Sequence, residues 1–187
     1  MPLHVFEPRY RKMVRDALHG ARLIGMTLLR PGWEDDYLGR PAIYSVGCAG
    51  ELHRCEALAD GRYNIVLRGV SRFRVLDEDA SEPYRVARVE ALPDEIGDAQ
   101  ALAEARGRLG EAVALAADGP AVLVVQPELP DDVFVNALCQ TLPLEPIEQQ
   151  SLLDSGRVSE RCQRLLEILD FKRLEKKYGK ARSDTMS

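Results

Sequence analysis

Over residues 60–75 the chain reads Asp-Gly-Arg-Tyr-Asn-Ile-Val-Leu-Arg-Gly-Val-Ser-Arg-Phe-Arg-Val, with apolar groups at every second position through its first half. On an extended strand Tyr63, Ile65 and Leu67 fall on one side, and Asn64, Val66 and Arg68 on the other. Asp60-Gly61 separates this run from the apolar-rich residues 43–58, and Gly after Asp supplies the positive φ of a tight hairpin turn. Gly69 interrupts the alternation where a bulge or corner is expected, after which Phe73 and Val75 alternate with Arg72 and Arg74. The pattern predicts a strand with one apolar side and one arginine-bearing side. Residues 22–30 read as a buried strand, 43–58 as a long strand bent at Gly47 and Gly50, and 83–92 as a less regular one. About five strands precede residue 93 by this pattern, enough for a twisted sheet or small barrel.

The period is helical elsewhere. Glu7-Pro8 suits a helix start, because a Pro at the first helical position loses no needed N–H. Tyr10, Met13, Val14, Ala17 and Leu18 then share a face, and His19-Gly20 ends the segment. Beyond a boundary at residues 93–97, Leu102, Ala105, Leu109 and Ala116 recur at three- and four-residue steps. Asp131 is expected to cap a helix carrying Val133, Phe134, Ala137 and Leu138. A further helix is expected over 145–153, and a last one striped by Val158, Cys162, Leu165 and Leu169. The division read from these changes is 1–92 for the sheet with one short helix, 98–177 for a helical subdomain, and 178–187 for a flexible tail.

Composition narrows the function classes. The apolar fraction is 45% and the charged fraction 29%, values of a soluble globular chain, and no apolar run is long enough to cross a membrane. A secretory leader pattern is lacking, so the expected location is cytoplasmic. Cys48, Cys55, Cys139 and Cys162 form no C-x-x-C pair and only three His are present, so reduced thiols are expected and no metal or other cofactor. Residues 40–76 hold six Arg against three acids, whereas 77–132 hold four Arg against fourteen acids. The acidic middle argues against general nucleic-acid binding. Arg54, Arg62, Arg68, Arg72 and Arg74 nonetheless form a candidate basic patch if they converge.

Catalytic signatures are missing. Gly179-Lys180 is followed by Ala and lacks the upstream Gly of a phosphate loop, and no G-x-S-x-G or H-E-x-x-H occurs. His53 and Cys55 lie two apart on a strand with no third group to orient them, so no catalytic residue is assigned. In the polar loop at 31–40, the only tryptophan, Trp33, and Tyr37 are candidate contacts for a partner, aromatic groups being enriched where proteins meet. The alternative for Trp33 is that it folds back onto the core rim.

Leu3-His4-Val5-Phe6-Glu7-Pro8-Arg9-Tyr10, then Val46-Gly47-Cys48-Ala49-Gly50-Glu51-Leu52, then Asp60-Gly61-Arg62 and Gly69-Val70-Ser71-Arg72-Phe73-Arg74-Val75 resemble the N-terminal substrate-binding domain of Lon ATP-dependent proteases. Leu142-Pro143-Leu144, Gln149-Gln150-Ser151-Leu152-Leu153 and the helix around Arg161 extend the likeness over most of residues 3–170. The resemblance implies an α+β fold, a PUA-like β-barrel followed by a helical bundle, with Phe6 and Tyr10 packing the first helix on the barrel. It also implies a non-catalytic module that binds unfolded or tagged polypeptide, in the manner of a quality-control adaptor, beside a protease or chaperone. Self-association is left open, and RNA binding through the arginines is the rival, since PUA-like barrels also bind RNA. Family members carry an apolar strand and an F-P-G-like turn ahead of the L-H-x-F-E segment, and this chain begins two residues before it. The expectation is therefore a start lying upstream, or one strand fewer and backbone groups left at a sheet edge.

Overall fold

The computed structural model describes residues 1–37, 39–116 and 129–184, so residues 117–128 within the acidic stretch and the last three of the tail expected at 178–187 lie outside the description. The chain is α+β and separates into two compact units, Met1–Pro93 and Asp94–Ser187.

The first unit is built on an antiparallel sheet of β1 (Pro2–Val5), β2 (Leu23–Met26), β3 (Val46–Ala57), β4 (Tyr63–Asp79) and β5 (Val86–Leu92), with α1 (Pro8–His19) packed on it. The pairing order is β1-β4-β3-β2, and β5 joins β4 further along. Because β4 is 17 residues long, β1 pairs with its first four residues and β5 with the stretch from Arg72 to Asp79. Gly61 sits at φ 78° in the turn between β3 and β4, as Asp60-Gly61 requires. Leu52, Ile65, Leu67, Ile24 and Val5 form the core with Val14 of α1, and Met13, Ala17 and Leu18 pack against it. Lys12 of α1 bridges Glu82 at 2.7 Å and the Tyr84 hydroxyl donates to Asp16 at 2.6 Å, so the β4–β5 connection is tied to the helix.

Three bulges decide which side chains face inward. Gly50 pairs with Gly69 but Ala49 with Ser71, leaving Val70 extra in β4. Residues directly opposite share a face, so the extra residue turns Arg72 to the side of Cys48 and Phe73 to the side of Gly47. The expected single apolar side therefore does not run through β4. Phe73 is 5% exposed on the face opposite Leu67, and Arg72 is 7% exposed, donating to the Pro93 carbonyl at 3.3 Å. A Cβ at Gly47 would meet Phe73 at 2.6 Å and the Met26 carbonyl at 2.5 Å, so only glycine admits the ring there. A second bulge leaves His53 extra between Leu52 and Arg54, and a third leaves Leu76 extra opposite β5.

One further expectation for this unit changes. The strand read over 22–30 is reduced to β2, in which only Ile24 is buried. Gly20 ends α1 as read from the sequence, at φ −111°, and Arg22 follows at φ 59°, held by its own N–H to the Ala17 carbonyl and its guanidinium to the Leu52 carbonyl at 3.0 Å.

The second unit holds α2 (Ala99–Ala116), α3 (Asp131–Thr141), α4 (Pro146–Asp154) and α5 (Val158–Asp184). Leu102, Ala105, Leu109, Phe134, Val135, Leu138, Leu152, Val158, Cys162, Leu165, Leu166 and Leu169 form its core, so the helical period read from the sequence marks the buried faces. Glu145 and Glu148 make a capping box at the start of α4, with the Glu145 N–H donating to Glu148 at 2.7 Å. Asp131 does not cap α3: Pro130 occupies that place, and Asp131 pairs with Arg106, whose guanidinium lies 4.2 Å from the centre of the Phe134 ring. Arg161, 3% exposed, donates to Asp94, Asn136, and the Leu152 and Ser155 carbonyls. No helix among the described residues is long and apolar enough to cross a membrane.

Candidate functional site

Pro8 opens α1 with Glu7 extended before it, which fixes how Phe6, Glu7, Arg9 and Tyr10 leave β1. Gly32 at φ 86° turns the loop into a short 3₁₀ helix, Trp33–Asp36, and brings Tyr37 beside them. Trp33 and Tyr37 meet edge to face, ring centres 5.6 Å apart at 60°. The Tyr37 hydroxyl donates to Glu7 Oε1 at 2.6 Å, which raises its pKa above the ordinary tyrosine value and keeps the proton on the phenol. Arg9 donates to the other Glu7 oxygen at 2.9 Å, and its guanidinium lies 4.7 Å from the Tyr10 ring centre and 5.3 Å from that of Tyr37. Trp33 is half-buried by these contacts, whereas Tyr37 is 41% exposed.

The two aromatic contacts read from the sequence thus come together on α1. Phe6 and Tyr10 depart from their expected packing role: Phe6 is 59% exposed, stacked on His4 with ring centres 6.3 Å apart, and Tyr10 lies at the surface. Met13, Val14, Ala17 and Leu18 pack α1 on the sheet in their place. Glu7 and Arg9, which hold Tyr37, escape a sequence reading, because nothing local ties residue 7 to a loop thirty positions on.

Most of the candidate basic residues are buried or paired with a carboxylate. Arg72 is buried for the bulge reason given above. Arg62 pairs with Asp60 at 2.5 Å, Arg68 with Glu51 at 2.5 Å and Arg74 with Glu90 at 3.5 Å, so each charge is offset beside it. Arg54 is exposed on β3 next to the bulge at His53. That bulge also breaks the two-residue alternation assumed for His53 and Cys55. Burial pushes the Cys55 thiol up, and it pushes Cys139 and Cys162 up to about 11, which favours the thiol over the thiolate. No group of three or more His, Cys, Asp or Glu suited to a metal ion occurs among the described residues.

Comparison with known proteins places this arrangement. The profile of the ATP-dependent protease La (LON) substrate-binding domain matches residues 1–170. Lon protease 2 of Myxococcus xanthus is 26% identical over 190 residues, covering 92% of this chain and 22% of that protein. Lon protease 2 of Herpetosiphon aurantiacus is 31% identical over 140 residues, covering 68% of this chain and 16% of that protein. Among solved structures, a Lon N-terminal domain protein from Xanthomonas campestris superposes with a TM-score of 0.62 at 23% identity, covering 89% of this chain and 88% of that one. The N-terminal domain of the Mycobacterium avium complex Lon protease superposes at 0.57 and 14% identity, covering 91% of this chain and 90% of that one. The chain spans about a fifth of the length of the curated proteases it matches. With its antiparallel sheet, its helical unit and a match across residues 1–170, the chain belongs to the Lon substrate-binding domain family.

Proposed function

We infer that this chain is a cytoplasmic, non-catalytic polypeptide-binding module with a PUA-like sheet, which receives unfolded or tagged segments and acts beside a protease or chaperone. The observation that carries the reading is the group of Tyr10, Tyr37 and half-buried Trp33 gathered around Arg9, with Tyr10 and Tyr37 exposed, in a member of a substrate-binding family. Large apolar groups at a polar surface are a usual mark of a contact site. The upward shift of the Cys55 and Cys139 thiols disfavours thiol chemistry at these positions. The pairing of Arg62, Arg68 and Arg74 with carboxylates weighs against an RNA surface.

The test is titration with a chemically unfolded, tryptophan-free polypeptide while Trp33 emission is followed. A saturable change is expected, and a Trp33→Ala chain should bind a labelled copy of the polypeptide several-fold more weakly. Equal binding by the variant would remove Trp33 from the surface, and no saturable binding at all would refute the function. Casein turnover that survives extensive purification would count against a non-catalytic module. Salt-sensitive RNA retention lost on Arg54→Ala would favour the RNA alternative.

A further inference from the structure

Carboxylates in the first unit are commonly paired with a cation: Glu7 with Arg9, Asp16 and Glu82 with Lys12, Glu51 with Arg68, Asp60 with Arg62, Glu78 with Arg85, and Glu90 with Arg74. Glu34 and Asp35 differ. Both are exposed on the 3₁₀ turn that carries Trp33, and among the described residues neither side chain has an ion-pair or hydrogen-bond partner, whereas Glu56, Asp77 and Asp79, which also lack an ion pair, each accept a hydrogen bond. Asp36, next in line, is engaged by the Arg40 backbone N–H at 3.2 Å and closes the turn. Arg9, the cation nearest the aromatic rings, is already committed to Glu7 and to the Tyr10 and Tyr37 faces. The cluster is therefore an aromatic surface rimmed on its Trp33 side by two uncompensated negative charges.

We propose that this surface selects polypeptide segments in which large apolar residues are interspersed with Lys or Arg, Glu34 and Asp35 meeting the cations while Trp33 and Tyr37 meet the apolar groups. The proposal rests on the polypeptide-binding reading above and specifies the partner it prefers. Like-charge contacts with these two residues disfavour acidic segments, and cations fit the two carboxylates. An exposed ion pair contributes little singly, so the selectivity is set by two pairs together and is sensitive to salt.

The experiment uses the full chain and two tryptophan-free twelve-residue peptides of identical Phe and Leu placement, one carrying Lys and the other Glu at the intervening positions. A third peptide keeps the Lys and replaces Phe and Leu with Ser. Binding is read by labelled-peptide anisotropy and by Trp33 emission at low and at 0.5 M salt. The Lys–Phe–Leu peptide should bind about tenfold more tightly than the Glu peptide at low salt, with the gap narrowing at high salt. The all-polar Lys peptide should bind weakly and leave Trp33 emission unchanged. In a Glu34→Lys, Asp35→Lys chain the order should invert. A Glu34→Gln, Asp35→Asn chain should abolish the preference while keeping the apolar contribution. Equal binding of the Lys and Glu peptides would overturn the selectivity and leave polypeptide binding standing. An unchanged preference in both double variants would overturn it too, assigning the preference to the overall negative charge. Binding of none of the peptides, with no response of Trp33, would sink the polypeptide-binding reading itself.

Discussion

Replacing Arg161 with methionine is the sharpest test of what holds the helical unit together. The guanidinium donates to Asp94 Oδ1 at 2.7 Å, Asn136 Oδ1 at 2.6 Å, the Leu152 carbonyl at 3.2 Å and the Ser155 carbonyl at 3.2 Å. It thereby ties the residue that opens this unit to α3 and to the end of α4, where helix carbonyls lack partners of their own. Methionine keeps much of the apolar stem and removes every donor. Breaking a buried ion pair by deleting one partner costs about 3–5 kcal/mol, because the other charge is left uncompensated. Asp94 is 28% exposed and regains some water, which places the loss near the lower end, about 3 kcal/mol. With a urea slope of about 1.5 kcal/mol/M for a unit of this size, the midpoint should fall by about 2 M. Far-UV circular dichroism at 222 nm reports mainly the helices of this unit, and Trp33 emission reports the sheet unit, so both probes should be followed. A fall under 0.5 M in the helical transition would refute the assignment of Arg161 as the unit's polar centre. Arg161→Lys should recover only part of the loss, since an ammonium cannot present the fork that reaches four groups.

Phe73→Ala should destabilise the sheet unit by about 3–5 kcal/mol, read from the Trp33 transition in urea; a loss under 1 kcal/mol would mean that the ring is not seated over Gly47 and Gly25. Gly47→Ala should be comparably damaging, because its methyl would sit 2.5 Å from the Met26 carbonyl, a backbone atom held in the β2–β3 ladder. The hydrogen bonds that Arg62 gives Asp60 hold that carboxyl at about 2, so by NMR titration its midpoint should lie there and rise towards the ordinary value in Arg62→Ala. This pair is a depressed-acid case: its contribution is complete above the unfolded value of about 4 and is lost as pH falls through about 2. Gly107 and Gly110 lie on the exposed side of α2 with open space where a Cβ would stand, so Gly107→Ala and Gly110→Ala should each stabilise the helical unit by up to about 1 kcal/mol. No gain in thermal midpoint from either would count against a continuous α2.

Periodicity in the sequence was sufficient to place the helices and most of the strands. The positions of Leu102, Leu109, Val158, Cys162 and Leu165 follow from a 3.6-residue repeat, and each is fully buried. The turn at Asp60-Gly61 follows equally directly, because a glycine in the left-handed region is a local property. The pairing of Trp33 with Tyr37 is also local, four residues apart on one turn. What alternation cannot carry is parity across a bulge. One extra residue at Val70, defined only by the register of β3 against β4, sends Arg72 inward and Phe73 to the opposite face. The same kind of insertion separates His53 from Cys55. Likewise, Phe6 is apolar and the family resemblance implies a packing role, yet the sheet and α1 meet through Val5 and Val14 and leave it outside. Glu7 and Arg9 become the supports of Tyr37 only when the loop folds onto α1. Local propensity is written in neighbouring residues and survives any fold; the face a side chain presents, and the partner its charge meets, are set by contacts between segments far apart in the chain.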